Sequence, residues 1–360
     1  MVLYTLPSLY DVEQAARLIA DKVVETPVLT SQRLNGIATA NLRGGGGGGG
    51  EGGEVKVELF FKCENVQKTG SFKFRGATHF LARLRDEELE RGVVAFSTGN
   101  YAQAVAHAAQ VAAFERGIRI PTSVVVPSNC GRRKVEAAES YGATVFRSGT
   151  KPLDRVDMAI RIVEETGAIL VPPADDSDIV VGQATAVREL LLQVAGHRLD
   201  AVVVPSGGGG LLVGAIAVCK PLGVTVFAAE PELGGPGLAA AMQTGHLALR
   251  SLCLDGGSTP TIADGLQCLT GEANWEHIRG AGNVAQVFSV SEKQIKGTLR
   301  LVNSDEFVGA VEPSAAVGVA VVLFSSAFAR WVVAQSKGVV RIGVVVTGGD
   351  FGVEELLILL

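Results

Sequence analysis

Along this chain, short runs of Val, Ile, Ala and Phe alternate with longer stretches in which apolar residues recur every three or four positions. The first such stretch opens at Ser8. With Asp11 three residues on, Ser8 reads as a capping box, and Val12, Ala15, Ala16, Ile19 and Val23 follow at helical spacing. Val55, Val57, Leu59, Phe61 and Cys63 then alternate with mostly polar neighbours, which predicts a strand. Ser71 stands where it would cap a helix running to Arg91 and stopped at Gly92. From there the pattern repeats, with strands predicted at 93–96, 123–126, 143–146 and 168–171 and helices at 101–113, 132–140 and 153–165. Asp175 and Asp176 are placed to cap the helix that follows. A helix near 185–194, strands at 201–204, 224–228 and 342–346, and a helix over 211–219 complete the reading.

Continuous apolar strands alternating with helices imply parallel sheets covered on both faces. In such folds ligands sit beyond the carboxyl ends of the strands. Chemistry is therefore to be sought in the residues just after each strand.

The length of 360 residues suggests two domains of about 100–200 residues each. Apolar residues at 47% and charged residues at 19% exclude a disordered chain. A net charge of −5 provides no basic field for nucleic acid. The five cysteines are scattered without a CxxC pair, so neither a disulfide scaffold nor a structural zinc site is expected. Asp11, Glu13 and Arg17 interrupt the region where a secretory signal would be apolar. The uncharged stretch over 313–329 falls short of the ~20 residues of a spanning helix and reads as a buried core helix. The expected compartment is the cytoplasm, with neither nucleic acid nor membrane as a partner.

Two glycine runs differ in meaning. The run over 44–53 is a low-complexity insertion and reads as a flexible loop. Gly207, Gly208, Gly209 and Gly210 instead follow a predicted strand and open a predicted helix, where backbone N–H groups and the helix dipole favour an anion. The run lacks both the Walker ending and the dinucleotide fingerprint frame. Its counterpart is Lys73, in Lys68-Thr69-Gly70-Ser71-Phe72-Lys73, just past another strand. A lysine opening a helix at the edge of a ligand site suits Schiff-base chemistry. Two more clusters lie at strand ends, Ser97-Thr98-Gly99-Asn100-Tyr101 and Thr347-Gly348-Gly349-Asp350.

Ser71-Phe72-Lys73-Phe74-Arg75-Gly76 resembles the cofactor-lysine motif of the serine/threonine dehydratases and serine racemases, pyridoxal-phosphate enzymes of fold type II. Glu25-Thr26-Pro27-Val28-Leu29, the segment 59–64, Ser97-Thr98-Gly99-Asn100 and Gly182-Gln183 follow in that family's order. So do residues 205–210, Ala229-Glu230-Pro231, Ala263-Asp264-Gly265 and Glu312-Pro313. The resemblance implies an α/β fold of two open, twisted, mostly parallel-sheet domains, like the β chain of tryptophan synthase. Pyridoxal 5'-phosphate would lie in the cleft between them. The small domain would span residues 90–173, and the large one residues 1–89 and 174–360. A homodimer acting on a small hydroxy amino acid is expected, with β-elimination to a 2-oxo acid and ammonia as the first reaction. Racemisation and 3-hydroxyaspartate ammonia-lyase activity are the alternatives.

By the same resemblance, Lys73 would hold the cofactor as a Schiff base and shuttle the Cα proton. Gly207 to Gly210 and Leu211 would hold its phosphate, and Asn100 would reach its phenolic oxygen. Thr347 would face its pyridine nitrogen, with Phe72 and Gly265 near the ring. Ser97, Thr98, Gly99 and Tyr101 would surround the substrate carboxylate. Thr98 stands where the racemases carry a catalytic serine, and Tyr101 where the family usually has histidine. Glu230 and the Gly234 carbonyl match part of a Mg2+ or Ca2+ site, whose acidic ligand is replaced by Pro236. Asp350 replaces an asparagine, and a carboxylate there is expected to raise the pKa of the pyridine nitrogen.

Overall fold

The computed structural model describes residues 4–44, 55–97, 99–247, 261–304 and 310–352. Ten strands lie among these described residues, β1 (Val28–Leu29), β2 (Lys56–Cys63), β3 (Val93–Phe96), β4 (Thr122–Pro127), β5 (Thr144–Ser148), β6 (Ile169–Leu170), β7 (Ala201–Pro205), β8 (Thr225–Pro231), β9 (Gln286–Val290) and β10 (Val339–Val346). They make a six-stranded sheet in the order β1-β2-β10-β7-β8-β9 and a four-stranded sheet in the order β5-β4-β3-β6. Every pairing is parallel except that of β1 with β2. The smaller sheet is drawn from one continuous stretch of chain, and the larger from both flanks.

The larger sheet is buried on both faces. Ala201 and Val203 of β7 enter one apolar core, while Val202 and Val204 enter the other. This is why β7 reads as an unbroken apolar run rather than an alternating one. Helix Pro313–Phe324 covers the first face, and helices Ser177–Gln193 and Gly210–Cys219 cover the second.

The helix after β2 differs from expectation. It spans Lys73–Arg83 and ends at Leu84, whose extended backbone leads into a separate short helix, Asp86–Glu90. Ser71 accepts from the Lys73 backbone N–H at 3.3 Å, and Phe72 is the residue flanking the helix. The stretch over 313–329 is two helices, Pro313–Phe324 and Ser326–Ala334, meeting at 56° where Ser325 caps the second. Among the described residues no single helix is long and apolar enough to cross a membrane. Of the two aspartates, Asp176 caps helix Ser177–Gln193, while Asp175 accepts from the backbone of Ala273 and Asn274. The 45–53 part of the glycine insertion lies outside the described residues, and Gly44 ends helix Gln32–Gly44.

Candidate active site

Lys73 is set by what surrounds its helix. An isolated antiparallel bridge joins Ser71 to Gly348, and the Phe72 N–H donates to the Thr347 carbonyl at 3.1 Å. The lysine loop is thereby stitched to the end of β10. Two residues on, Arg75 is fully buried. Its guanidinium meets Glu64 at 2.7 and 2.8 Å and Glu189 at 2.7 Å through two nitrogens. Lys62, equally buried, donates to Glu189 at 2.7 Å and to the Thr26 carbonyl at 2.7 Å. Two cations and two carboxylates thus balance behind the lysine. Helix Lys73–Arg83 crosses helix Ser177–Gln193 so closely that a Cβ on Gly182 would lie 2.7 Å from the Gly76 Cα.

The glycine run forms the turn between β7 and helix Gly210–Cys219. Gly209 has φ +94°, a conformation strained for any other residue, and a Cβ on Gly208 would lie 2.6 Å from that of Ala174. The turn leaves the first N–H groups of an unbroken, fully buried helix without preceding carbonyls to accept them.

Lys73 and the glycine turn line one cavity of about 180 Å3 between the two sheets. Phe72, Ser97, Tyr101, Leu211, Gly265, Ser314 and Thr347 complete much of its wall. Ser206 also lines it, and its buried hydroxyl has no partner. An anion-ready glycine cradle, an amine across from it and an unsatisfied hydroxyl between strands fit a phosphorylated aldehyde cofactor. Lys73 would hold it by its aldehyde, residues 207–211 by its phosphate, and Thr347 would stand beside the ring.

Several of the expected residues have partners within the chain. Tyr101 is buried, and its hydroxyl donates to the Pro172 carbonyl at 2.5 Å, so only its ring faces the cavity. That bond ties Tyr101 to the end of the smaller sheet. Asn100 lies behind Glu312, to which its amide nitrogen donates at 3.0 and 2.8 Å, and Glu312 forms the cavity wall. Gly99 packs beneath Lys134, whose ammonium pairs with Asp264 at 2.8 Å. Thr98 falls outside the described residues.

Asp350 does not line the cavity. Its carboxylate accepts from Gln103 Nε2 at 2.6 Å and from the Arg133 guanidinium, so it joins the two sheets' domains rather than facing a ring nitrogen. Glu230 is engaged within the chain. Its two oxygens accept from the backbone of Leu238 and Ala239 at 2.7 and 2.8 Å, capping helix Leu238–Thr244, and burial raises its pKa. Glu230 has a structural role as a helix cap here, and neither Glu230 nor Gly234 is assigned to a metal. Among the described residues no cluster of three or more His, Cys, Asp or Glu is placed to hold one.

Sequence reasoning passed over Arg155. It stands in the first turn of helix Pro152–Thr166, lines the cavity, and its buried Nε has no partner. No carboxylate pairs with it among the described residues. A cation in the first turn opposes the helix dipole, and that was the available signal. Glu312 likewise mattered more than its place in an ordered motif suggested.

Known proteins agree with this geometry. Residues 21–347 match the family model described as pyridoxal-phosphate dependent enzyme. The chain is 33% identical over 349 residues to L-threo-3-hydroxyaspartate ammonia-lyase of Saccharomyces cerevisiae, covering 96% of this chain and 94% of that one. It is 38% identical over 354 residues to serine racemase of Bos taurus, covering 97% and 94%. The solved structure of maize serine racemase superposes with a TM-score of 0.83 at 32% identity, covering 98% of this chain and 96% of that one. With an amine and a phosphate cradle facing one cavity and family similarity along nearly its whole length, the chain belongs to the fold type II pyridoxal-phosphate-dependent enzymes, in the group of serine/threonine dehydratases and serine racemases.

Proposed function

We propose that this enzyme is an ammonia-lyase for a dicarboxylic hydroxy amino acid, with L-threo-3-hydroxyaspartate as the preferred substrate. The observation that carries this reading is Arg155, a cavity-lining guanidinium with a buried, unpartnered Nε. A half-buried guanidinium with an unsatisfied buried N–H gains from an acceptor, and a second substrate carboxylate supplies one. Serine and threonine have no group for it. Two relatives, from Saccharomyces cerevisiae and a Pseudomonas species, carry the name L-threo-3-hydroxyaspartate ammonia-lyase.

Pyridoxal phosphate, when bound, supplies an electron sink that acidifies the Cα–H of an amino acid. Lys73 Nζ would hold the cofactor, and its amine is the base placed to take the Cα proton. The glycine turn would hold the phosphate end, and Arg155 would orient the β-carboxylate. Departure of the β-hydroxyl with a proton, then hydrolysis, yields the 2-oxo acid and ammonia.

The test is to incubate the holoenzyme with L-threo-3-hydroxyaspartate, L-serine and L-threonine and to read 2-oxo acid and D-isomer together. The diacid should give the highest kcat/KM, and Arg155→Leu should lower its ratio to serine by about 10- to 100-fold. A ratio unmoved by that substitution overturns the substrate assignment, and a dominant D-isomer overturns elimination.

A further inference from the structure

A loop that turns its N–H groups to an anion turns carbonyls the other way, and each buried carbonyl then needs a donor. In this chain the donors come from one segment. Thr270 Oγ1 donates to the Gly207 carbonyl at 3.3 Å, and the Gly271 N–H to the Gly208 carbonyl at 3.0 Å. Asn274, fully buried, donates from Nδ2 to the Gly208 carbonyl at 2.8 Å and to the Ala174 carbonyl at 3.1 Å. Both amide hydrogens are thereby engaged. The Oδ1 atom accepts from the Tyr4 hydroxyl. That bond fixes which end of the amide faces the glycine turn.

Tyr4 is itself held on the same helix, one turn further along. His277 Nε2 meets the Tyr4 carbonyl at 2.8 Å, and the two rings lie with centroids 4.8 Å apart. Burial, with Asp175 and Asp176 nearby, raises the phenol's pKa well above its ordinary value, so Tyr4 remains a donor. Asp175 anchors the backbone of Asn274 at 2.7 Å.

We propose that Asn274, oriented by Tyr4, is a positioning residue that holds the glycine turn open for the cofactor phosphate, so that the N-terminal segment sets cofactor affinity. This rests on the seating of the phosphate on residues 207–210.

The experiment titrates the apoprotein with pyridoxal phosphate and, separately, with pyridoxal, which lacks the phosphate. The readout is the ratio of the two dissociation constants. Asn274→Leu should reduce the preference for the phosphorylated form about tenfold or more, and Tyr4→Phe by about threefold. Affinity for pyridoxal should change little. Equal loss for both ligands would mean a merely structural role, and an unchanged ratio in Tyr4→Phe and Asn274→Leu would also overturn the inference. Tyr4→Phe keeps the test open if Asn274→Leu does not fold. Gly208→Ala separates the two claims. If that variant, folded by circular dichroism, keeps the full phosphate preference, the seating itself is wrong. If it loses the preference while the Tyr4 and Asn274 variants keep it, only the positioning role is wrong.

Discussion

Asn100 and Glu312 meet across the cleft, one amide nitrogen donating to both carboxylate oxygens at 3.0 and 2.8 Å. Asn100 opens the helix that follows β3 of the smaller sheet, and Glu312 directly precedes helix Pro313–Phe324 beneath the larger one. Burial pushes the acid from its ordinary 4.5 up to about 7, and Asp264 adds to the rise. Asn100, Lys134 and Lys73 pull the other way. The contact across the cleft is therefore tied to a carboxyl group that titrates near neutrality.

Glu312→Gln should flatten the pH dependence of stability. A carboxyl whose pKa is raised on folding binds more protons in the native state, so its contribution is complete below about pH 4.5 and is lost as pH rises through about 7. Thermal melts of both proteins over that window should show the wild type losing ground to the variant. Parallel curves would remove Glu312 as the titrating group.

Lys73→Ala should leave pyridoxal phosphate only non-covalently held. Dialysis should strip the cofactor and its long-wavelength absorption, and turnover should fall by at least about 10²-fold. Retained colour after dialysis would point to another amine.

Arg75→Met should be among the most damaging single changes outside the cavity. It leaves Glu64, which Arg75 holds below the ordinary carboxylate range, and Glu189 short of a counter-ion. Breaking such a buried network costs about 3–5 kcal/mol. Arg75→Lys cannot restore the two-pronged contacts to both acids and should recover only part of that loss in a denaturant titration.

Asp350→Asn should leave the absorption of the bound cofactor unchanged from acid to alkaline pH, because the carboxylate faces Gln103 and Arg133. The half-exposed Arg133 pair is worth about 0.2–1 kcal/mol at most. Its loss should show as a rise in KM of a few-fold that wild type reproduces in high salt. A shifted absorption profile would return Asp350 to the pyridine nitrogen.

Much of the frame was legible because local signals and burial agreed. Ser8 and Asp11 form their capping box, and β7 with the turn after it stands where an apolar run met four glycines. The 71–76 motif located the lysine. What escaped were features defined by distant partners. Asp175 and Asp176 are adjacent in sequence, yet one caps the next helix and the other anchors Asn274, 99 positions on. The significance of Arg155 lies in an unpartnered Nε, which a cation in a helix's first turn only hints at. Tyr101 was read by its motif position, but its hydroxyl follows the nearest buried carbonyl. β1 has only two residues, too few for any periodicity to register.

The placement of β10 has a consequence for biosynthesis. Arg341 pairs in register with Glu58, 283 positions earlier, and β10 lies between β2 and β7 in the middle of its sheet. While the ribosome is still translating the chain, the slot between those neighbours stays open, with bare peptide edges on either side. The lysine loop gains its stitch to Gly348 only when this late strand slides in, so the nascent protein can acquire its cofactor in a fixed pose only after residues through Gly348 have been made.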